Sequence, residues 1–550
     1  MRRKWTALLA VAVVASGLFA FNTAPIDRTF EIVKNLDIFA TLYKEVNSYY
    51  VDELNPSQLM NTGIDAMLNS LDPYTTYIPE DDIEDYRTMT TGEYGGIGAA
   101  VDRKNGVSTI VMPYEGYPAH NAGLKAGDEI VKINGIELKG KTSDQISKLL
   151  KGQSNSDIIL SIRRMNKADL FDVTLKRERI TINNVPYYGM VTADIGYLKL
   201  TDFTTEAGSE VKNAVNELKE DGAKKIILDL RGNPGGLLEE AVNVSNVFVG
   251  KGREVVTTRG KLNNWTKTYN TLDEPGDDEI PLAVLVSNGS ASAAEIVSGV
   301  MQDYDRGVLV GQRSFGKGLV QQTRPLAYNS QLKVTTAKYY IPSGRCIQAI
   351  DYSHRNPDGS VGKVADSLKS EFKTQSGRLV YDGGGVNPDI EVESTDYAPI
   401  TYSLIRDDLI FNYATEYYYS HSEIGDSKTF ELTDAEYDAF RTWLKDKDVK
   451  YTTQVEQDIE TLIASAKEEK YYEDIKVQIL ALKKETLHNK DQDLMTFKPE
   501  IKFLLEREIA GRYYYQRGMI ESMFDQDQEV LAAIEVLNDS DKYKSILKVK

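Results

Sequence analysis

From residue 180 to about residue 395, short apolar runs alternate with helix-length amphipathic ones, and this alternation restricts the chain more than any other feature. Residues 195–200, 225–230, 282–286 and 308–310 have the length and composition of strands, while 207–218, 237–249 and 293–301 have helical periodicity. That order predicts an α/β layer with mostly parallel strands joined by crossovers. Two glycine-rich turns, 231–236 and 288–292, fall at strand ends. In open α/β sheets ligands bind at the carboxyl ends of strands, so chemistry is expected at these turns.

The second turn reads Ser287-Asn288-Gly289-Ser290-Ala291-Ser292-Ala293-Ala294-Glu295. A serine between a strand and a helix sits where helix N–H groups and the dipole support developing negative charge. Ser292 is the candidate nucleophile, with Ser290 and Ser287 as rivals, and Ser292 with Glu295 equally fits a helix capping box. Small residues crowd the turn and leave room for an extended peptide. After the next strand, Gly316-Lys317-Gly318-Leu319-Val320-Gln321 supplies Lys317. Burial disfavours the charged form of a lysine, and a neutral amine can take a serine proton. Arginine, always protonated, cannot. Gln321 can orient the lysine only across a helical turn or a bulge at Gly318. The Ala293 amide is the natural oxyanion donor, and Gly235 or Gly236 of Asp229-Leu230-Arg231-Gly232-Asn233-Pro234-Gly235-Gly236 supplies a second.

Other chemistries fit less well. Residues 311–317 match a phosphate-binding loop until its last position, where Gly318 replaces the required Ser or Thr. His120, His354, His421 and His488 are scattered without paired ligand spacing, so no metal site and no cofactor is expected; a Ser-His-Asp triad would have to borrow His354, the one histidine in the α/β region. The net charge of -18 argues against a nucleic-acid partner. The lone Cys346 excludes an intrachain disulfide framework.

The remainder divides by texture into an α+β multidomain chain. Arg2, Arg3 and Lys4 precede an apolar run over 5–21, so residues 1–24 are expected to be a signal peptide or membrane anchor. Positive charge before the run places the rest outside the cytoplasm, in the periplasm or cell envelope, with anchoring to the inner membrane as the alternative to cleavage. Residues 26–90 are predicted helical: Ile32, Leu36, Phe39, Leu42, Tyr43 and Val46 recur at helical spacing, and Asp72-Pro73 closes a second helix begun near Ser57. Residues 91–177 change to short β runs with glycine turns, a short helix at 143–150 and a closing strand at 158–163. Residues 180–396 form the α/β core, with 26–90 expected to pack on it. Residues 397–550 are charged, Tyr-rich and helix-periodic, and dimerisation is among the roles they allow.

Two resemblances follow from these motifs. The run Ala122-Gly123-Leu124-Lys125-Ala126-Gly127-Asp128-Glu129-Ile130-Val131-Lys132-Ile133-Asn134-Gly135 closely resembles a PDZ domain. Such domains add a peptide C-terminus as a strand beside a sheet edge. By position, Gly95, Gly96, Ile97 and Gly98 match that family's carboxylate loop. Together with 71–77, 228–236, 290–295, 316–321, 337–345 and 384–390, the chain resembles a C-terminal processing peptidase, or tail-specific protease. The resemblance covers residues 30–395, puts the family's serine, lysine and glutamine on Ser292, Lys317 and Gln321, and implies that the PDZ unit senses a tail and gates the site. Ala294 stands where many members have serine. The expectation is an exported serine endopeptidase acting on proteins with free apolar C-termini. A non-catalytic PDZ scaffold of the envelope is the alternative.

Overall fold

A computed structural model describes residues 28–393, 396–486 and 489–548. The expected signal or anchor segment lies outside the described residues. Among the described residues, no helix is long and apolar enough to cross a membrane. The chain divides into two compact units, one of residues up to Tyr77 with Leu332–Val334, the other Ile78–Gln331 with Thr335–Lys550.

The first unit holds helices α1 (Arg28–Tyr49) and α2 (Pro56–Asn69). Asn55 caps α2 by accepting the Gln58 N–H, Pro56 occupies its first turn, and the Tyr43 hydroxyl donates to the Pro56 carbonyl at 2.7 Å. The helix stops at Asn69, ahead of Asp72, whose carboxylate turns the chain by accepting the N–H groups of Tyr74 and Thr75.

In the second unit, α3 (Ile83–Thr91) leads into a five-stranded antiparallel path. Its edge strand is β1 (Ala99–Lys104), paired with β2 (Val107–Pro113), and helix α4 (Ser143–Leu150) packs alongside behind a Thr142–Gln145 capping box. The sheet does not close at 158–163: Phe171–Lys176 adds another antiparallel strand. In the glycine-rich signature, Asp128 is fully buried and binds Arg164 through both carboxylate oxygens, at 2.7 and 2.6 Å. The motif thus locks a turn, which is why its spacing is so specific.

The core sheet runs β3 (Tyr187–Met190), β4 (Ile195–Lys199), β5 (Lys225–Asp229), β6 (Leu282–Val286), β7 (Val308–Gly311) and β10 (Ile390–Glu391). Only the β3–β4 pair is antiparallel. Outside this sheet lie β8 (Leu319–Pro325) and β9 (Gln331–Tyr340). Side chains alternate between faces. Ile226, Leu228, Val284 and Val286 meet α5 (Ala207–Glu220), α6 (Leu238–Phe248) and α7 (Ala293–Asp303). Ile227, Leu285 and Val310 face the other way, against Phe524 and α10 (Gln528–Asn538), from the far end of the chain.

The helices beyond residue 397, including α8 (Leu409–Ser420) and α9 (Lys498–Glu521), have a core of their own and touch both neighbours. On the β domain, Asp408 pairs with Lys104 at 3.1 Å and the Lys125 ammonium donates to the Tyr418 hydroxyl at 2.9 Å. On the core, Arg231 binds Asp527 at 2.8 Å and the Gln312 amide donates to Glu529 at 2.8 Å.

Arg231 also grips Asp229, which is fully buried at the end of β5 and receives the Tyr197 hydroxyl at 2.6 Å. Burial alone would raise the Asp229 carboxyl, but Arg231 and Lys199 hold it well below the usual carboxylate range. A depressed folded pKa contributes stability that is present above the unfolded value, about 3.9, and is lost only as pH falls through the folded one. Asp229→Asn is therefore expected to lower the melting temperature at pH 7, by an equivalent of up to about 3–5 kcal/mol. The deficit should persist at pH 5 and narrow only below about pH 4. Calorimetry across pH checks this, and a deficit already gone at pH 5 would contradict it.

Candidate active site

The serine turn leaves β6 at Val286 and enters α7 at Ala293. Ser292 holds φ 52 and ψ -113, a conformation rare outside glycine that costs roughly 1–3 kcal/mol and clusters at functional turns. It is the geometry of a strained strand-to-helix elbow that presents a hydroxyl beside helix N–H groups. The rival serines have other work. Ser290 is fully buried, accepts the Ser287 N–H at 2.9 Å and donates to the Leu230 carbonyl at 2.8 Å. The Ser287 hydroxyl accepts the N–H groups of Gly232 and Gly289 at 3.1 and 3.3 Å.

Glu295 does more than cap. Its carboxylate is fully buried and takes four donors from two loops. The N–H groups of Ser292 and Lys317 reach Oε2 at 2.9 and 2.8 Å, while Gly316 N–H and the Ser314 hydroxyl reach Oε1 at 2.7 and 2.5 Å. Ser314 Oγ in turn accepts the Val386 N–H at 2.7 Å, so the proton on that hydroxyl points at Glu295. Burial pushes the Glu295 carboxyl above its ordinary value, and the bonds from Ser314, Lys317, Gly316 and Ser292 oppose it. Four donors on four lone-pair sites leave no acceptor for a carboxyl proton, so the geometry is that of an anion. Tyr339, 1% exposed, completes the tie: its hydroxyl lies 2.6 Å from the Lys317 carbonyl oxygen and 3.1 Å from that of Ser292.

The first glycine turn packs directly on the serine. Gly235 has φ +95, and a Cβ there would stand 2.7 Å from the Ala291 carbonyl oxygen and from Ser292 Cβ. Its N–H donates to Asn233 Oδ1 at 2.8 Å, which takes Gly235 out of the oxyanion-donor role and leaves it as the close-approach residue. Gly236 follows, its carbonyl-side neighbour Leu237 bonded to Phe203 at 2.7 Å. The fully buried Asn233 clamps the loop: its side-chain amide donates to the Leu200 carbonyl at 2.8 Å and its backbone carbonyl accepts the Ala291 N–H at 2.9 Å.

Lys317 is half-buried in the loop before β8. Its glycine neighbours admit another chain segment: a Cβ on Gly316 would strike Ala349 at 2.4 Å, and one on Gly318 would meet the Gln348 nitrogen at 2.8 Å. Gln321 lies on β8, and its amide donates to Thr335 Oγ1 at 3.1 Å. The chain after Lys317 enters a strand, so the phosphate-loop pattern has no helix N-terminus to use. His354 is exposed and pairs with Asp351 at 2.7 Å, and His488 lies outside the described residues.

In the β domain a groove of about 150 Å³ runs between β1 and α4. Gly96 and Ile97 line it, whereas Gly95 packs on Gly152 and Gly98 on Tyr117. Asn233, Ser314 and Tyr339 escaped the sequence reading as site residues. Asn233 and Tyr339 stand inside motifs singled out there, but nothing in the motifs said which side chains turn inward.

Residues 194–361 match the model of Peptidase family S41, 109–164 that of a PDZ domain, and 400–537 that of a probable PDZ-protease C-terminal helical domain. A carboxy-terminal-processing protease of Bartonella bacilliformis is 39% identical over 321 residues, 58% of this chain and 73% of that one. A probable CtpA-like serine protease of Staphylococcus aureus is 37% identical over 57% of this chain and 62% of its own length. A solved photosystem II D1 C-terminal processing protease aligns over 64% of this chain and 92% of that one, at 26% identity and a TM-score of 0.35.

Glu295→Gln replaces an acceptor by an amide that must turn N–H toward N–H, orphaning buried donors at about 1–3 kcal/mol each. We expect kcat to fall at least about tenfold with KM nearly unchanged, and labelling by a serine-directed fluorophosphonate to slow in parallel. Unchanged labelling in a folded variant would refute the positioning role. Gly235→Ala should abolish labelling, because its Cβ has no space beside Ser292.

Proposed function

We propose that this chain, which belongs to peptidase family S41, captures the free apolar C-terminus of a protein in its PDZ groove and cleaves upstream through an acyl-enzyme on Ser292. The chain is a serine-type C-terminal processing peptidase; the residue roles, tail chemistry and export are our reading. The observation that carries it is the shared Glu295 carboxylate, which ties the backbone of the nucleophile to that of the lysine. In this scheme the neutral Lys317 amine takes the Ser292 proton as Oγ attacks the scissile carbonyl carbon. The oxyanion is met by the Ala293 N–H and by Gly236. The ammonium then returns its proton to the leaving amine as the C–N bond breaks. Water, activated by the same amine, hydrolyses the ester. Gln321, held by Thr335, steadies the strand that follows the lysine.

Tail recognition is supported by the free edge of β1 and by the apolar lining of the groove, Ile97, Ala99, Val101, Ile146 and Leu150. Beside the Gly96–Ile97 turn stands Lys151, currently 2.6 Å from Asp85 of α3, a cation that a tail carboxylate would meet. Export, with cleavage or anchoring, is inferred from the charged and apolar run within residues 1–24.

The test is cleavage of a protein carrying an apolar C-terminal tail. Wild type should cut it, while Ser292→Ala and Lys317→Arg should lose at least about a thousandfold in kcat. Equal cleavage by all three would sink the mechanism. Charged residues in the tail, or Val101→Asp in the groove, should raise KM at least about tenfold and leave cleavage of a short untailed peptide unchanged. An untailed substrate cut equally well by wild type would remove the tail from the reading.

A further inference from the structure

One cavity beside the core belongs to neither the groove nor the serine turn. It measures about 390 Å³, within the range of small-ligand sites, and lies where the PDZ domain, the core sheet and the C-terminal helices meet. Its apolar wall is formed by Met112 of β2, Tyr197 of β4, and Met519, Met523 and Phe524 near the end of α9. Helix α9 breaks at Tyr514 and Tyr515, the latter at φ 53 and ψ -142, and the residues just after the break, Gln516 and Met519, face the space. Methionine side chains adapt to the shape of an apolar occupant.

The polar side of the cavity carries Lys199, Arg231 and Arg507 against the single carboxylate of Asp527. Two of the cations are engaged. Arg231 is bonded to Asp229, Asp527 and Glu529, and Lys199 stands 3.3 Å from Asp229. Asp527 spends the same oxygen on Arg231 and on the Val530 N–H. Arg507 differs: its Nε is buried and has no hydrogen-bond partner among the described residues. The nearby Tyr397 phenol feels its charge but offers no anion at neutral pH. No ion pair engages Arg507 among the described residues, and a guanidinium that lines a cavity meets a planar, two-oxygen anion with paired N–H donors.

We propose that this cavity is a binding site for a linear amphipathic carboxylate, its apolar body against Met112, Met519 and Phe524 and its carboxylate on Arg507. One wall is Arg231, which immediately precedes the 232–236 loop, and another is a PDZ strand, so an occupant contacts all three bodies at once. The shared chemistry, an apolar body ending in a carboxylate, fits a medium-chain fatty acid or the C-terminal residue of an apolar peptide.

The experiment uses the full chain carrying Ser292→Ala and Val101→Asp, which removes turnover and the groove, and follows binding by calorimetry and by the methyl signals of its methionines. Decanoate, decanol, and an apolar tripeptide with a free or an amidated C-terminus are the probes. At least one carboxylate should bind saturably and shift the Met112, Met519 and Met523 signals, with its neutral counterpart at least tenfold weaker. Whichever carboxylate binds identifies the source. Arg507→Gln should weaken it at least tenfold, and Met523→Trp, which fills the space and leaves Arg507 in place, should do the same if Arg507→Gln fails to fold. No saturable binding, binding that leaves those methionines unmoved, or equal affinity for carboxylate and neutral probes would overturn the proposal. Because nothing is turned over, failure here is separate from failure of the peptidase reading.

Discussion

A buried carboxylate is costly unless every lone pair finds a donor, and Glu295 finds its donors only if two loops meet around it. Ser292 and Lys317 belong to different turns, separated in sequence by all of α7 and β7. Moving either loop would strip the anion of dipoles it has no other way to replace. That penalty holds the Ser292 backbone in its strained conformation and fixes the peptide unit on which the lysine is mounted. Tyr339 and Asn233 extend the same logic: the Tyr339 hydroxyl lies between the Lys317 and Ser292 carbonyls, and Asn233 bonds Leu200 through its side chain and Ala291 through its backbone carbonyl. The site is thus held by saturated polar networks, in which removing one partner leaves others unpaired.

The C-terminal helices have a second, larger consequence. The strands are apolar on both faces, as parallel sheets require, and α5–α7 cover only one. The other is covered by α10, whose Val530, Ala533 and Val536 come from the far end of the chain relative to the strands they bury. The same region grips the PDZ domain through Asp408 and Tyr418 and reaches the glycine turn at 231–236 through Asp527 on Arg231. The PDZ domain and the serine turn are therefore joined through a third body as well as along the chain.

Much of this was legible in advance where the controlling rule is local. Strands and helices of the core follow from the period of their apolar residues, and the Asn55-Pro56 start of α2 follows from capping chemistry. The PDZ signature is readable because Gly127 and Asp128 make a turn that few other residues can make. What escaped was set by contacts distant in sequence. Gly235 reads as a candidate oxyanion donor until Asn233 is found to hold its N–H, and its close packing on the Ser292 backbone appears only in the fold. The glycines flanking Lys317 admit residues 348 and 349, which no local pattern announces.

The sequence by itself determined the α/β order, the PDZ signature and the shortlist of Ser292, Lys317 and their glycine loops, because periodicity, turn chemistry and residue type act over a few neighbours. It left Ser287, Ser290 and Ser292 as rivals and Glu295 as a plain cap. Tertiary structure gives Ser287 and Ser290 backbone partners and makes the cap a four-donor carboxylate joining two loops. A hydrogen bond saturates one atom at one place, and which atoms come together is decided only when the whole chain has packed.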